Sequence, residues 1–321
     1  MPYRIILAAL TFAALAFGGS QTPTLSLPAP IAALAEQVTE RNMALDYDSA
    51  FALAKQVRAK DKGVGCVLEN VVLVSRYDDL GDTAALASAE KNLEKCASTG
   101  LWEAVRKFEL GYVQIEQGHS VKGAMTTRSG AKLFEDSPEL DAQAFYALYA
   151  YYMDKSFSWL PFKSDRRIEY LAVVDSAASV SKQFWPLFLT SLAWMYYDKG
   201  DYNAGLRILK VGFSKAPNHP VLLQLKADML YKLKRYKEAA EIYEKSATDY
   251  LARSGKSIRY WCSALNLVRI YTDMGDKEKA ARWKKSLDDP DYKRLKRRMP
   301  ESLMDDLESR DLLDKFCKNC T

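Results

Sequence analysis

From Ile31 onward, apolar residues recur three or four positions apart along the chain, with polar residues between them. This spacing places the apolar side chains on one face of a helix with 3.6 residues per turn. The strict alternation that is typical of a half-buried strand is not convincing in any segment. The pattern therefore predicts an all-α chain of successive helices, separated by turns that contain glycine, proline and aspartate.

The C-terminal half repeats itself with a period of 34 residues. Residues 186–219 align with residues 220–253, so that Tyr202 coincides with Tyr236, and a third unit, 261–294, aligns after a seven-residue insertion. Each unit reads as two helices joined by a turn. A single helical hairpin cannot bury its apolar face alone, so a repeat of this length indicates hairpins that stack on one another.

The residue types in these units resemble the tetratricopeptide repeat family. The first unit has the Gly-Asp-Tyr turn at 200–202 and closes with Pro217, although Gly205, Leu209 and Lys226 depart from the family pattern. The resemblance implies a right-handed superhelical solenoid of antiparallel helix pairs, with divergent N-terminal hairpins and a C-terminal capping helix. More loosely, residues 110–243 are similar to exported bacterial tetratricopeptide proteins of unassigned function.

The N-terminus has the features of a secretory signal. Arg4 precedes an apolar run of 13 residues, which ends before Gly18 and a group of small residues. The run is shorter than the roughly 20 residues that a membrane-spanning helix needs. Because no cysteine occurs before Cys66, a lipid-anchoring signal is disfavoured. We expect a soluble periplasmic or secreted protein, with no transmembrane span in the mature chain.

Together these patterns predict five segments along the chain. They are a signal peptide (1–22), an extended lead-in (23–30), divergent hairpins (31–182), a repeat region (183–294) with the three units given above, and a capping helix with its tail (295–321).

Cysteine placement agrees with export. Cys66 and Cys96 each lie 15 residues from Gly81, where two predicted helices turn back on each other. The equal distances place the two thiols side by side, either as a disulfide or as two buried free thiols. Cys317 and Cys320 form a C-x-x-C at the chain end. Structural pairing, within that motif or with Cys262, is favoured over redox chemistry, because no helix N-terminus follows to activate a thiol.

The sequence contains few of the motifs and residues that are typical of enzymes. We find no phosphate-binding glycine loop, no nucleophile elbow and no zinc-protease motif. The only two histidines, His119 and His219, have no metal-ligand spacing with the cysteines. The sequence therefore predicts a non-enzymatic protein with no cofactor and no metal.

The family resemblance implies a concave groove lined by the first helix of each pair. The groove is suited to an extended peptide or a helix. Packing against the neighbouring hairpin is an equal alternative for Trp194 and Tyr197. The residues that the resemblance places in the groove are Leu187, Thr190, Trp194, Tyr197, Gln224, Asp228, Tyr231, Leu265, Arg269 and Thr272.

These features favour a scaffold or adaptor of the cell envelope that binds another envelope or secreted protein. The alternative is a ligand-binding or transport-accessory protein, whose aromatic helices enclose a small apolar molecule. Phe157, Trp159 and Phe162 form an apolar loop that either folds back on the solenoid or makes contacts. Residues 282–298 carry eight basic and three acidic side chains, and so allow peripheral contact with an anionic envelope surface. Because we expect the protein to be exported, we do not expect nucleic acid to be a binding partner.

Overall fold

The computed structural model describes residues 25–159 and 165–313, and all regular secondary structure in these ranges is helical. The all-α fold is confirmed, and successive helices pack as antiparallel pairs. A short 3-10 turn, Lys296–Arg298, precedes the last helix. The helices are α1 (Ala29–Met43), α2 (Tyr47–Lys60), α3 (Lys62–Leu80), α4 (Thr83–Lys95), α5 (Gly100–Glu116), α6 (Ser120–Phe134), α7 (Leu140–Ser156), α8 (Arg167–Val180), α9 (Trp185–Lys199), α10 (Tyr202–Lys215), α11 (Pro220–Lys232), α12 (Tyr236–Ser254), α13 (Ile258–Asp273), α14 (Lys277–Ser286), α15 (Pro290–Leu295) and α16 (Glu301–Ser309).

The described residues divide into two compact units. The N-terminal unit contains residues 25–77 and 82–195, and the C-terminal unit contains residues 78–81 and 196–313. Each unit has its own apolar core, built from the inward faces of its helices. None of the described helices has both the length and the apolar character needed to cross a membrane.

The same backbone turn ends the first helix of five pairs within the described ranges. In one example, the N–H of Gly200 donates to the carbonyl of Tyr197 and the N–H of Asp201 donates to that of Tyr196, both at 3.0 Å. This pattern satisfies the last carbonyls of a helix and requires one residue in the left-handed region. The residues that take this conformation are Leu45, Gly118, Gly200, Lys234 and Gly275.

Aspartate begins the second helix after several of these turns. The side chain of Asp201 accepts a hydrogen bond from the N–H of Ala204, and that of Asp276 accepts one from Lys279, each at 3.0 Å. These bonds satisfy N–H groups that have no partner within the helix. A Gly-Asp step therefore ends one helix and starts the next, which explains why that dipeptide marks the predicted turns.

An aromatic cluster fills the core of the N-terminal unit. The rings of Phe134 and Phe145 stack with centroids 4.9 Å apart, and Phe188 meets Phe145 edge-on at 5.2 Å. Glycine brings α5 and α6 together, because a Cβ on Gly111 would lie 2.1 Å from Thr127 Oγ1. The large rings fill the space between helix pairs. The absence of a side chain at Gly111 lets the two helices of one pair approach closely.

The N-terminal unit also contains the predicted disulfide. Cys66 on α3 and Cys96 directly after α4 are bonded, with their Cα atoms 6.1 Å apart. Of the two alternatives left open by the spacing, the disulfide is therefore the one that forms. In the predicted lead-in, Leu25 is buried and its N–H donates to Glu139 Oε2 at 2.6 Å, and α1 already begins at Ala29.

In the C-terminal unit, small residues lie within pairs and large ones lie between them. Ala227 and Ala239 are fully buried at the contact of α11 with α12, beside Leu230 and Tyr271. At the end of the chain, Leu303 and Leu307 of α16 pack into the same core cluster as Trp261 and Leu265 of α13. α16 thus covers an apolar face of α13, which agrees with the predicted capping helix.

Several predicted features lie outside the described residues. These are the signal peptide, Phe162 of the apolar loop, and the C-x-x-C cysteines Cys317 and Cys320. Cys262 is buried and forms no disulfide with a described residue. Burial raises the pKa of its thiol to about 11, so it is unreactive near neutral pH.

Candidate binding face of the C-terminal unit

The groove residues predicted on α11 and α13 are brought together by the pairing of these helices. The guanidinium of Arg269 lies 4.0 Å from the centre of the Tyr231 ring, close enough for a cation–π interaction. Arg269 Nη2 donates to Asn266 Oδ1, one turn earlier on α13, at 2.5 Å. The arginine therefore lies over the ring of a tyrosine of the preceding pair.

A row of alternating charges runs through Arg269 from helix to helix. On one side Asp228 of α11 lies 4.0 Å away, and on the other Asp306 of α16 lies 3.7 Å away. Only 11% of the Arg269 side chain and 14% of the Asp228 side chain is exposed, compared with 38% of Asp306. The row therefore passes from the interior at α11 towards solvent at α16.

A second row runs beside the first. The hydroxyl of Tyr231 donates to Asp273 Oδ2 at 2.7 Å, and Asp273 also forms an ion pair with Arg310, the residue after α16. Arg310 Nη1 lies 3.4 Å from the Tyr231 hydroxyl and 3.7 Å from Asp306 Oδ2, so it joins the two rows. We call the surface formed by Asp228, Tyr231, Arg269, Asp273, Asp306 and Arg310 the first-helix face.

Tyr243, on the second helix of the same pair, holds the buried end of this face in place. Tyr243 of α12 is 1% exposed, and its hydroxyl donates to Asp228 Oδ1 at 2.6 Å. Burial raises the pKa of Asp228, while this hydrogen bond and Arg269 oppose the rise. Burial likewise raises the pKa of Tyr243 well above its usual value, so the tyrosine keeps its proton and remains a donor.

One donor in this network has no partner among the described residues. Arg269 Nε is buried and makes no hydrogen bond, although the two terminal nitrogens of the guanidinium lie beside acceptors. A buried donor without a partner is unfavourable, so this position favours an additional acceptor. Arg269 Nε belongs to the same side chain that lies over the Tyr231 ring.

Three further predicted residues surround the face in the C-terminal unit. Tyr197 is half-buried, its ring lies 5.4 Å from that of Tyr202, and burial raises its pKa. Gln224 is half-buried on α11. Thr272, also half-buried, donates its hydroxyl to the backbone carbonyl of Val268 at 2.8 Å.

The first-helix face as defined above does not include the remaining four predicted groove residues. Leu265 is fully buried in the core beneath α16 and is not available to a ligand in this structure. Leu187, Thr190 and Trp194 belong to the N-terminal unit. There Leu187 is 42% exposed, while Thr190 donates its hydroxyl to the carbonyl of Pro186 at 2.7 Å and Trp194 is half-buried.

The predicted apolar loop follows α7 in the N-terminal unit. Phe157 is half-buried at the end of that helix, whereas Trp159 is 71% exposed. Within residues 25–159 and 165–313, no group of histidine, cysteine or carboxylate side chains has an arrangement that suits a metal ion.

Sequence reasoning missed four residues of the network: Tyr243, Asp273, Asp306 and Arg310. A usable signal existed for one pair, because Asp306 and Arg310 are four residues apart and therefore share a helix face. Asp228 and Arg269 occupy the same position in two consecutive repeat units, so their opposite charges also predict a contact between neighbouring first helices.

Comparisons with known proteins agree on the type of fold. Residues 172–246 match the family described as anaphase-promoting complex, cyclosome, subunit 3. The structure of a Rap protein complexed with competence and sporulation factor superimposes with a TM-score of 0.52 and 16% identity, covering 89% of this chain and 88% of that one. Human IFIT1, solved as a dimer with PPP-AAAA, matches with a TM-score of 0.38 and 13% identity over 82% of this chain and 72% of that one, too weakly to carry an argument. No curated protein is significantly similar in sequence.

Proposed function

We propose that this chain is a non-enzymatic scaffold of the tetratricopeptide repeat type, which binds a protein partner on the first-helix face. The observation that carries the proposal is the network of tyrosine, arginine and aspartate side chains that contact one another across α11, α13 and α16. Tyrosine and arginine are enriched among the residues that dominate binding energy at protein interfaces.

The chemistry of the face suits a peptide or helix of a partner. Tyr231 and the half-buried Tyr197 offer aromatic surface, while Asp306 and Arg310 present partly exposed charges at the solvent side. Internal hydrogen bonds hold most of these groups in place, so binding needs little reordering of side chains. The Rap protein, which shares this fold, was solved in complex with competence and sporulation factor, and this supports a protein partner here.

The cell envelope or its exterior is the compartment that we propose. The Cys66–Cys96 disulfide is typical of an oxidising environment. The apolar run near the N-terminus has the composition of a secretory signal. The partner would then be another envelope or secreted protein.

The proposal is tested by capture of partners from the envelope of the producing cell. The bait variant Tyr197→Ala/Gln224→Ala/Thr272→Ala changes half-buried side chains around the face and leaves the Asp228–Arg269–Asp306 row intact. The matched control, Val211→Ala/Lys237→Ala/Glu241→Ala, changes three exposed side chains on the second helices α10 and α12. We expect a partner that is captured by wild type and control and is lost with the face variant.

Photo-cross-linking provides a second test, which also detects a partner that binds too weakly to be captured. A photoreactive amino acid at position 272 should cross-link to the same partner, whereas one at position 241 should not. Identical capture by all three baits, or cross-linking from position 241 alone, would refute binding on the first-helix face.

A further inference from the structure

A cavity of about 510 Å³ lies in the N-terminal unit, beside the disulfide. Small-molecule sites in proteins commonly measure roughly 300–1,000 Å³. The cavity is bounded by the end of α2, the start of α3 and the end of α4. Its lining consists of Lys55, Arg58, Ala59, Lys62, Cys66, Glu69, Lys95, Cys96 and Ala97.

The charges around this cavity are strongly unbalanced. Four of its lining residues are basic and one, Glu69, is acidic. The carboxylate of Glu69 is only 6% exposed and accepts a hydrogen bond from Arg58 Nη1 at 2.7 Å, so it is already committed to one of the four cations. The remaining three positive charges, those of the exposed Lys55, Lys62 and Lys95, line the cavity without a compensating carboxylate.

Two of these lysines have no partner within the part of the chain that the structure describes. Neither Lys62 nor Lys95 forms an ion pair or a side-chain hydrogen bond there, and the ammonium of Lys55 lies 4.8 Å from the centre of the Phe51 ring. Placing like charges around one concavity costs electrostatic energy and creates a positive potential that attracts anions.

Ordinary helix-end effects explain only part of this arrangement. Lys95 is the last residue of α4, where a cation interacts favourably with the helix dipole. Lys62 is the first residue of α3, where the same dipole disfavours a cation. A bound anion would offset both the repulsion among the lysines and the unfavourable position of Lys62.

We propose that this cavity binds a small molecule that carries two or more negative charges, such as a pyrophosphate or a polycarboxylate. Lys62 and Lys95 supply the principal ionic contacts, and Lys55 adds a third positive charge to the lining. Ala59, Ala97 and the disulfide form an apolar wall for the carbon skeleton of an organic ligand. This site differs from the first-helix face in its unit, its charge and its ligand, so it does not depend on the function proposed above.

The disulfide gives the site its geometry. Cys66 follows Lys62 by one helical turn, and Cys96 is the residue directly after Lys95. The covalent link therefore holds Lys62 and Lys95 beside the same cavity. Reduction would free the end of α4 from the start of α3, and we expect it to weaken anion binding.

The test measures binding of pyrophosphate and of citrate to the full chain at low ionic strength by isothermal titration calorimetry. The pocket variant Lys62→Gln/Lys95→Gln is compared with Lys91→Gln/Lys132→Gln, which removes the same charge from exposed sites of the same unit outside the cavity. We expect saturable binding by wild type, about tenfold or more weaker binding by the pocket variant, and less than about a twofold change in the control.

A third variant shifts binding in the opposite direction. Glu69→Gln keeps a hydrogen-bond acceptor for Arg58 and removes the one negative charge of the lining, so we expect about threefold tighter binding. Circular dichroism verifies that each variant is folded. Absence of saturable binding of both probes by wild type would overturn the proposal. So would equal losses in the two lysine variants, or unchanged or weaker binding by Glu69→Gln.

Discussion

Arg269 illustrates how a single side chain connects several helices. It stacks on a tyrosine of α11, lies between carboxylates of α11 and α16, and bonds to an asparagine of its own helix. A buried guanidinium needs such partners, because an uncompensated buried charge is strongly destabilising. The same contacts that keep it in the protein also fix the position of the aromatic surface that we propose for binding.

At this scale, the hydrogen bond from Tyr243 to Asp228 is open to a direct test. Tyr243→Phe removes the donor and leaves a buried carboxylate with one partner fewer, so we expect the free energy of unfolding to fall by about 1–3 kcal/mol. Tyr236→Phe, on the same helix, is the control, because its half-buried hydroxyl bonds to no described residue. It should cost less than about 0.5 kcal/mol. Equal effects of the two substitutions in urea unfolding would contradict this assignment.

His219 predicts a pH dependence of stability. Burial lowers its pKa from 6.5 to about 4, and the nearby Asp79 only partly opposes this shift. Between these two values the unfolded chain binds the proton more readily, so the stabilisation present above pH 6.5 is lost as the pH falls towards 4. We expect this contribution to be about 1–3 kcal/mol. In urea titrations across that range, His219→Gln should show a correspondingly smaller loss than wild type, and parallel profiles would argue against it.

At the scale of elements, one type of turn occurs five times in the described residues and explains why the helices form pairs. A left-handed residue ends the first helix, and the next residue starts the second, often as an aspartate cap. The signal is local and is readable in Gly-Asp at 200–201 and 275–276. It is less visible at Leu45 and Lys234, which take the same left-handed conformation without being glycine.

This difference between turns can be measured by exchanging the residue type. Gly200 has φ of +79°, and nothing lies within 4 Å of the position that a Cβ would take there. Gly200→Ala therefore strains only the backbone, and we expect a loss of about 1 kcal/mol in unfolding free energy. Lys234, with φ of 60°, already carries that strain, and Lys234→Gly should be neutral or stabilising by up to about 1 kcal/mol. Destabilisation by both substitutions would mean that the Lys234 side chain, and not its backbone, matters at this turn.

At the scale of the whole molecule, the two units rely on different devices for stability. The C-terminal unit closes its core with α16, whereas the N-terminal unit contains a disulfide. Because each helix pair in a repeat architecture contacts mainly its neighbours, a local change should affect the stability of its own region first.

Reduction of the disulfide tests this locality. The bond joins residues that are 30 positions apart, and its loss should destabilise the surrounding helices by about 3–4 kcal/mol. Hydrogen exchange should therefore accelerate in α2, α3 and α4 after reduction, while the amides of α11, α12 and α13 serve as an internal control. Cys262, in the core of the C-terminal unit, forms no disulfide with a described residue. A uniform acceleration along the chain would show that stability is shared more widely than we infer.

The helical class, the repeat period, the turn positions and the proximity of Cys66 to Cys96 all follow from the sequence alone. These features depend on residues close in the chain or on equal spacing about a turn, so hydrophobic period and turn chemistry are sufficient to predict them. Three other features required the folded structure: Leu265 is buried beneath α16, Asp306 extends the Asp228–Arg269 pair into a row, and Lys62 and Lys95 share a cavity. These contacts join residues more than 30 positions apart, and which of them meet depends on how the helices rotate and pack against their neighbours.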